Sequence, residues 1–207
     1  MTENLYLVQP QLIKRSYRKV FVLLDDCKLM STTSSLLSFE LDRIISIMDK
    51  NDLTIASPMV VGANKGGGQA FRSIMYREAQ PGTEGYVSVF VELFAWVMTM
   101  PAYHALWDLL YPSINPYGWG YDFWYDNYAA SRVKGHKMGI ISTIKVNHEQ
   151  DFSSPNGGRT ETATVDQKWA AVLEQEKVYL SHFGVNLKKY REELRLKNGY
   201  HYIFIFY

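Results

Sequence analysis

An α/β fold is predicted by three observations. Short apolar runs rich in β-branched and aromatic residues recur along the chain. Segments with helical apolar spacing lie between them, and Gly, Pro and Ser clusters mark the joints. Strands that alternate with helices argue for a largely parallel sheet flanked by helices.

Arg18 to Leu24 carries KVFVLL and stops at Asp25-Asp26, the pattern of a buried central strand. Ser31 to Ser35 is a Ser/Thr cluster suited to capping a helix. Leu36, Leu37, Leu41, Ile44, Ile45 and Met48 then repeat at helical spacing up to Lys50. Leu53 to Ser57 predicts a short strand stopped by Pro58. Gly62 to Gly68 (GANKGGG) and Gly82 to Gly85 read as loops. Tyr86 to Thr99 predicts one long strand, straight or bent. Pro101 suits the first turn of a helix running to Leu110, and Pro112 to Gly120 is a turn-rich loop. A helix is expected over Tyr121 to Arg132 and a strand over Met138 to Val146. Asp151 to Arg159 is a polar loop, and Asp166 to Phe183 a last amphipathic helix ended by Gly184.

A chain of 207 residues, 47% of them hydrophobic, can fill the core of a single domain spanning 1–207. Its formal net charge of +1 argues against a strongly basic nucleic-acid binder. The single cysteine, Cys27, excludes an intramolecular disulfide and a multi-cysteine zinc site. A reducing, cytoplasmic setting is expected. Met1 to Gln11 lacks the charge and apolar run of a leader, and Val87 to Met100 is too short to span a bilayer and carries Glu92.

Several residues invite chemistry. Asp25 and Asp26, adjacent at a strand end, repel one another and lose hydration; a divalent cation relieves both costs. Hard carboxylates suit Mg²⁺ or Mn²⁺, although a pair of turn aspartates reads equally well from spacing alone. His148 follows a strand and would tilt such a site toward Mn²⁺; a lone histidine is more often structural. Asp122 in GWGYDF opens a helix, where it either acts as a base or simply favours the helix dipole. Glu92 interrupts an apolar run and either faces a site or makes an ion pair. GANKGGG lacks the ending of a phosphate-binding loop, but Lys65 and Arg72 could meet a diphosphate from a lid. Tyr117, Trp119, Tyr121, Phe123 and Trp124 surround Asp122 and offer stacking faces for a sugar.

YRKVFVLLDD, LTIASP, FVELFAWVM, GWGYDF and a late His148 occur in this order. Over about residues 17–150 this order resembles a GT-A-type glycosyltransferase family of plants, bacteria and large algal viruses. The viral likeness is to amino-terminal domains that act in capsid protein glycosylation. The resemblance implies a GT-A-like nucleotide-diphospho-sugar transferase fold, a UDP-sugar donor (glucose or a deoxyhexose), a glycan acceptor on a glycoprotein, and Mn²⁺. It implies Asp26 as a direct metal ligand, Asp25 at the metal or the donor ribose, and His148 completing the shell. Asp122 would be the base and Trp119 part of the sugar pocket. The acidic cluster here reads Leu24-Asp25-Asp26-Cys27, without an Asp-x-Asp spacing. Only 24 residues precede Asp25, so the chain is expected to be short at the N-terminus, a truncated or split part of a longer protein. A metal-dependent phosphohydrolase and a non-catalytic carbohydrate or nucleotide-sugar-binding remnant are the competing readings. The last eight residues, YHYIFIFY, are expected to be aggregation-prone unless paired.

Overall fold

The computed structural model describes residues 2–14, 16–24, 27–30, 37–61, 78–118, 120–148, 164–183 and 205–206. In chain order the elements are α1 (Thr2–Leu7), α2 (Pro10–Ile13), β1 (Lys19–Leu23), β2 (Cys27–Met30), α3 (Leu37–Lys50), β3 (Ile55–Val61), β4 (Gly85–Ser88) and β5 (Ala95–Thr99). There follow α4 (Met100–Leu109), α5 (Tyr121–Arg132), β6 (Met138–His148), α6 (Val165–Phe183) and β7 (Ile205–Phe206). They divide into two compact units, one of Met1–Arg18, Thr99–His136 and Thr160–His201, the other of Lys19–Met98, Lys137–Arg159 and Tyr202–Tyr207.

The second unit holds a sheet of seven strands in the order β1-β5-β3-β6-β4-β7, with β2 also on β6. The expected α/β class holds, but the sheet is not mostly parallel. β3 and β6 run parallel, whereas β5 lies antiparallel to β3, both β4 and β2 antiparallel to β6, and β7 antiparallel to β4. Alternation of strands and helices along a sequence does not fix strand direction; that depends on which partner each strand finds.

The run from Tyr86 to Thr99 is two strands, not one. Ser88 ends β4 with a local turn: its hydroxyl accepts the Phe90 N–H at 3.1 Å and donates to the Phe90 carbonyl at 2.5 Å. Such side-chain bonds compete with the ladder and stop it. Trp96 Nε1–H then donates to the Glu92 carbonyl at 2.6 Å, which orders the turn leading into β5. β4 and β5 thereby reach opposite sides of the β3–β6 pair. Pro58 does not stop β3 either. The strand runs through it, and the register shifts from Pro58↔Ile141 to Met59↔Lys145. An irregularity is where a strand tolerates the missing proline N–H.

α3 lays its apolar stripe on this sheet. Ile44, Ile47 and Met48 pack with Leu53, Ala56, Val97, Ile141 and Ile144 in one buried cluster. Each of the Ile, Leu, Val and Met side chains contributes about 1.5–3 kcal/mol on burial. The terminal YHYIFIFY finds a partner at Ile205–Phe206, which pairs with Tyr86 and Gly85.

The first unit is helical and its core is aromatic. Tyr103, Tyr121, Trp124, Tyr125 and Tyr179 are fully buried. Trp124 meets the Tyr179 ring edge-on at 4.8 Å. Tyr103 donates its hydroxyl to the Val8 carbonyl at 2.8 Å, and Tyr6 stacks on Trp107 at 5.2 Å; these bonds and stacks hold the short helices α1 and α2. Buried Gln175 ties α6 to the end of α4 and the loop beyond it: its Nε2 donates to the Leu109 carbonyl at 3.1 Å and its Oε1 accepts Asn115 Nδ2–H at 2.6 Å. Among the described residues no helix is long and apolar enough to cross a membrane.

Two predictions follow from the sheet unit. Gly85 faces the β6 backbone so closely that a methyl group would collide with the Ile140 carbonyl oxygen. Gly85→Ala is therefore expected to cost about 1–3 kcal/mol or more in urea unfolding. Glu84 accepts Thr143 Oγ1–H at 2.6 Å and the Arg43 guanidinium at 2.7 Å. The Thr143 hydrogen bond first, then Arg43, hold its carboxyl below the ordinary value of 4.5 against the opposing effect of burial. The stabilisation is thus complete above the ordinary carboxylate range and is lost as pH falls through the depressed value. Glu84→Gln should cost about 0.2–1 kcal/mol at neutral pH, because solvent screens this group, and the gap to the parent should close in acid unfolding curves.

Candidate functional site

The antiparallel pairing of β2 with β6 builds the site around His148. The register sets Cys27 opposite His148, followed by Lys28↔Asn147, Leu29↔Val146 and Met30↔Lys145. Residues directly opposite share a face, with Cβ atoms about 4.5–5.5 Å apart. Both are buried, Cys27 at 4% and His148 at 3% exposure. The Phe94 ring lies against the imidazole, centroids 4.4 Å apart and planes tilted by 35°. The same Phe94 accepts the Leu24 N–H on its carbonyl at 2.9 Å, and the Cys27 N–H donates to the Leu24 carbonyl at 3.0 Å. His148 is the last residue of β6 rather than a residue beyond the strand, because the ladder with β2 extends the strand to it.

Asp25 and Asp26 sit in the sequence between Leu24 and Cys27 but lie outside the described residues. So do Lys65, Arg72 and Trp119. The two remaining candidates, His148 and Asp122, are described, and they belong to different units. Asp122 stands half-buried in the first turn of α5, the position its sequence context predicts. Glu92 is in the turn before β5, not inside a strand, with its carbonyl bound by Phe94 N–H at 2.9 Å.

The glycines of GWG have a backbone reason. Gly118 and Gly120 have φ of +78° and +83°. A Cβ at Gly120 would lie 3.0 Å from a Val172 methyl on α6. Tyr121 and Trp124 are at 0% exposure, so the expected stacking surface does not include them. They fill the helical core, where large aromatic rings bury the most area.

For a divalent cation, the described donors at this position are the His148 imidazole and the neighbouring Cys27 thiol; both fit such an ion. The oxygen donors expected from Asp25 and Asp26 lie outside the described residues. Among the described residues no three His, Cys, Asp or Glu side chains gather as a metal-holding group.

The sequence reading did not single out His136. Its Nε2 lies 3.2 Å from Asp126 Oδ1, and its side chain is 5% exposed. The Tyr125 ring meets it edge-on at 5.7 Å. Burial first, then the Asp126 charge, push the Tyr125 hydroxyl far above its ordinary range. A shallow, open surface depression lies beside this pair, lined by residues 130–136 including Arg132 and Lys134. The visible signal was the Gly135 turn at the end of a predicted helix, which reads as an ordinary C-terminus.

Gly120→Ala is expected to cost about 1–3 kcal/mol in chemical unfolding, through the left-handed backbone and the crowding at Val172. No protein-family model matches the chain, and neither does any curated protein or solved structure.

Proposed function

We propose that the chain is a metal-dependent glycosyltransferase. It moves glucose or a deoxyhexose from a UDP-sugar to a glycan acceptor on a glycoprotein, in the cytoplasm and in the setting of viral capsid glycosylation. The observation that carries the reading is the Cys27↔His148 register. It brings the late histidine of the motif series to the residue that follows the acidic pair. The position of Asp122 in the first turn of α5 adds support.

Asp26, Asp25 and His148 would hold the cation. When bound, Mn²⁺ supplies charge neutralisation for the departing diphosphate. Asp122 takes the proton of the acceptor hydroxyl as that oxygen attacks the anomeric carbon. Asp122 stands half-buried in the first turn of α5, which would set its carboxylate in the role of base. Lys65 and Arg72 would pair with the diphosphate, and Trp119 would pack on the sugar. One displacement inverts the anomeric configuration.

A second reading has a specific observation behind it. Gly118, Gly120 and Tyr121 are each explained by backbone geometry or core packing, so part of the motif needs no ligand. A sugar- or nucleotide-sugar-binding remnant would retain these residues.

The deciding measurement is sugar release or transfer from UDP-glucose with and without Mn²⁺. The proposal expects turnover that needs the metal, is abolished in Asp26→Asn and falls about 10²–10⁴-fold in Asp122→Asn. UDP-sugar binding that survives metal removal and both substitutions, without turnover, would replace it with the binding remnant. Product NMR showing retention would remove the single-displacement mechanism.

A further inference from the structure

We propose that the segment from Tyr6 to Tyr17 docks reversibly on an anionic lipid surface. The proposal is independent of the transferase reading and of the centre at His148.

The first observation is where the exposed apolar side chains lie. Among the described residues eight large hydrophobic side chains are exposed, and five of them fall between Tyr6 and Tyr17. Leu7 is 73% exposed and Leu12 71%, with Tyr6, Val8 and Tyr17 close to them in the chain. A single exposed leucine is ordinary on a protein surface, whereas several gathered in one short segment mark an interaction site.

The second observation is that the fold holds this segment from beneath. Trp107 Nε1–H donates to the Tyr6 carbonyl at 3.0 Å, and the Tyr103 hydroxyl to the Val8 carbonyl at 2.8 Å. Buried Pro10 and the stack of Tyr6 on Trp107 complete the attachment. α1 and α2 are thus fixed to α4 largely through their backbone, which leaves the side chains of Leu7 and Leu12 to solvent. The Gln9 N–H donates to the Leu7 carbonyl at 3.1 Å and the Leu12 N–H to the Gln9 carbonyl at 3.0 Å, so the two leucines lie on successive tight turns.

Charge selects the partner. Residues 5–18 contain no acidic residue, and Lys14 and Arg18 are exposed. At an anionic bilayer, leucines enter the acyl boundary, tyrosines sit at the level of the headgroups, and ammonium and guanidinium groups meet the lipid phosphates. Lysine is depleted at protein–protein interfaces but favoured where an apolar surface meets anionic lipid. A few side chains on two short helices make a weak anchor, so the binding is reversible and sensitive to salt.

The test is flotation of the full chain with phosphatidylcholine vesicles, with and without phosphatidylserine. Binding is expected to the vesicles that contain phosphatidylserine and should weaken as salt rises. Leu7→Ser combined with Leu12→Ser should reduce the affinity about tenfold or more. Lys14→Gln combined with Arg18→Gln should reduce it about fivefold for each charge removed. Leu173→Ser, which alters an exposed leucine on α6, should leave it unchanged. The altered side chains face solvent, and circular dichroism would check that each variant keeps the fold. No binding to phosphatidylserine vesicles, binding that survives loss of both leucines, or equal loss in Leu173→Ser would each overturn the proposal. Concentration-dependent self-association that disappears in the double leucine variant, without vesicle binding, would replace the lipid surface with a second copy of this chain.

Discussion

The sheet depends on β6, the strand that three others share. One edge of this strand carries β3 along its length, in parallel register from Ile55↔Met138 to Val61↔Asn147. The other edge is divided: its first residues pair with β4 and its last with β2. Backbone groups buried this deeply must be bonded, and a strand with two occupied edges satisfies them without water. The cost appears at two places. Pro58 forces a shift of register, and Gly85 must stay bare because the Ile140 carbonyl occupies the space of a side chain.

The divided edge is also what assembles the candidate centre. Only because β4 covers no more than Met138 to Ile141 can β2 pair with Lys145 to His148. The end of that pairing meets the residue next to the acidic pair. Phe94 joins the arrangement because the Ser88 turn interrupts the apolar run and sends it to the far side of β3. A local hydroxyl bond thus fixes a contact on the imidazole of His148. In the helical unit the organising elements are different. Gln175 and a set of buried tyrosines meet the polar ends of α4 and its following loop, and their hydrogen bonds offset the cost of placing amide and hydroxyl groups in a core.

Much of the local structure was legible. The stripe Leu41, Ile44, Ile45, Met48 gave α3, and the glycine before Tyr121 marked the start of α5, because period and backbone preference act between near neighbours. The aromatic excess was visible too, but its assignment to a ligand surface was not sound for Tyr121 and Trp124. A ring that stacks on sugar and a ring that fills a core have the same side chain, and only burial separates them. The split of Tyr86–Thr99 was hidden for a similar reason, since one serine in an apolar run does not reveal whether its hydroxyl will turn to the backbone.

The sequence by itself determined the class of the fold, the helices α3 to α6, the extended segments at β1, β3 and β6, the +1 charge that argues against a broad basic surface, and the residues that invite chemistry. The tertiary structure decided the direction of the strands, the passage of β3 through Pro58, and the placing of Cys27 opposite His148. The physical reason is the range of the forces involved. Propensity and periodicity are properties of a few consecutive residues, while strand partners are chosen by hydrogen bonding and burial between segments far apart in the chain.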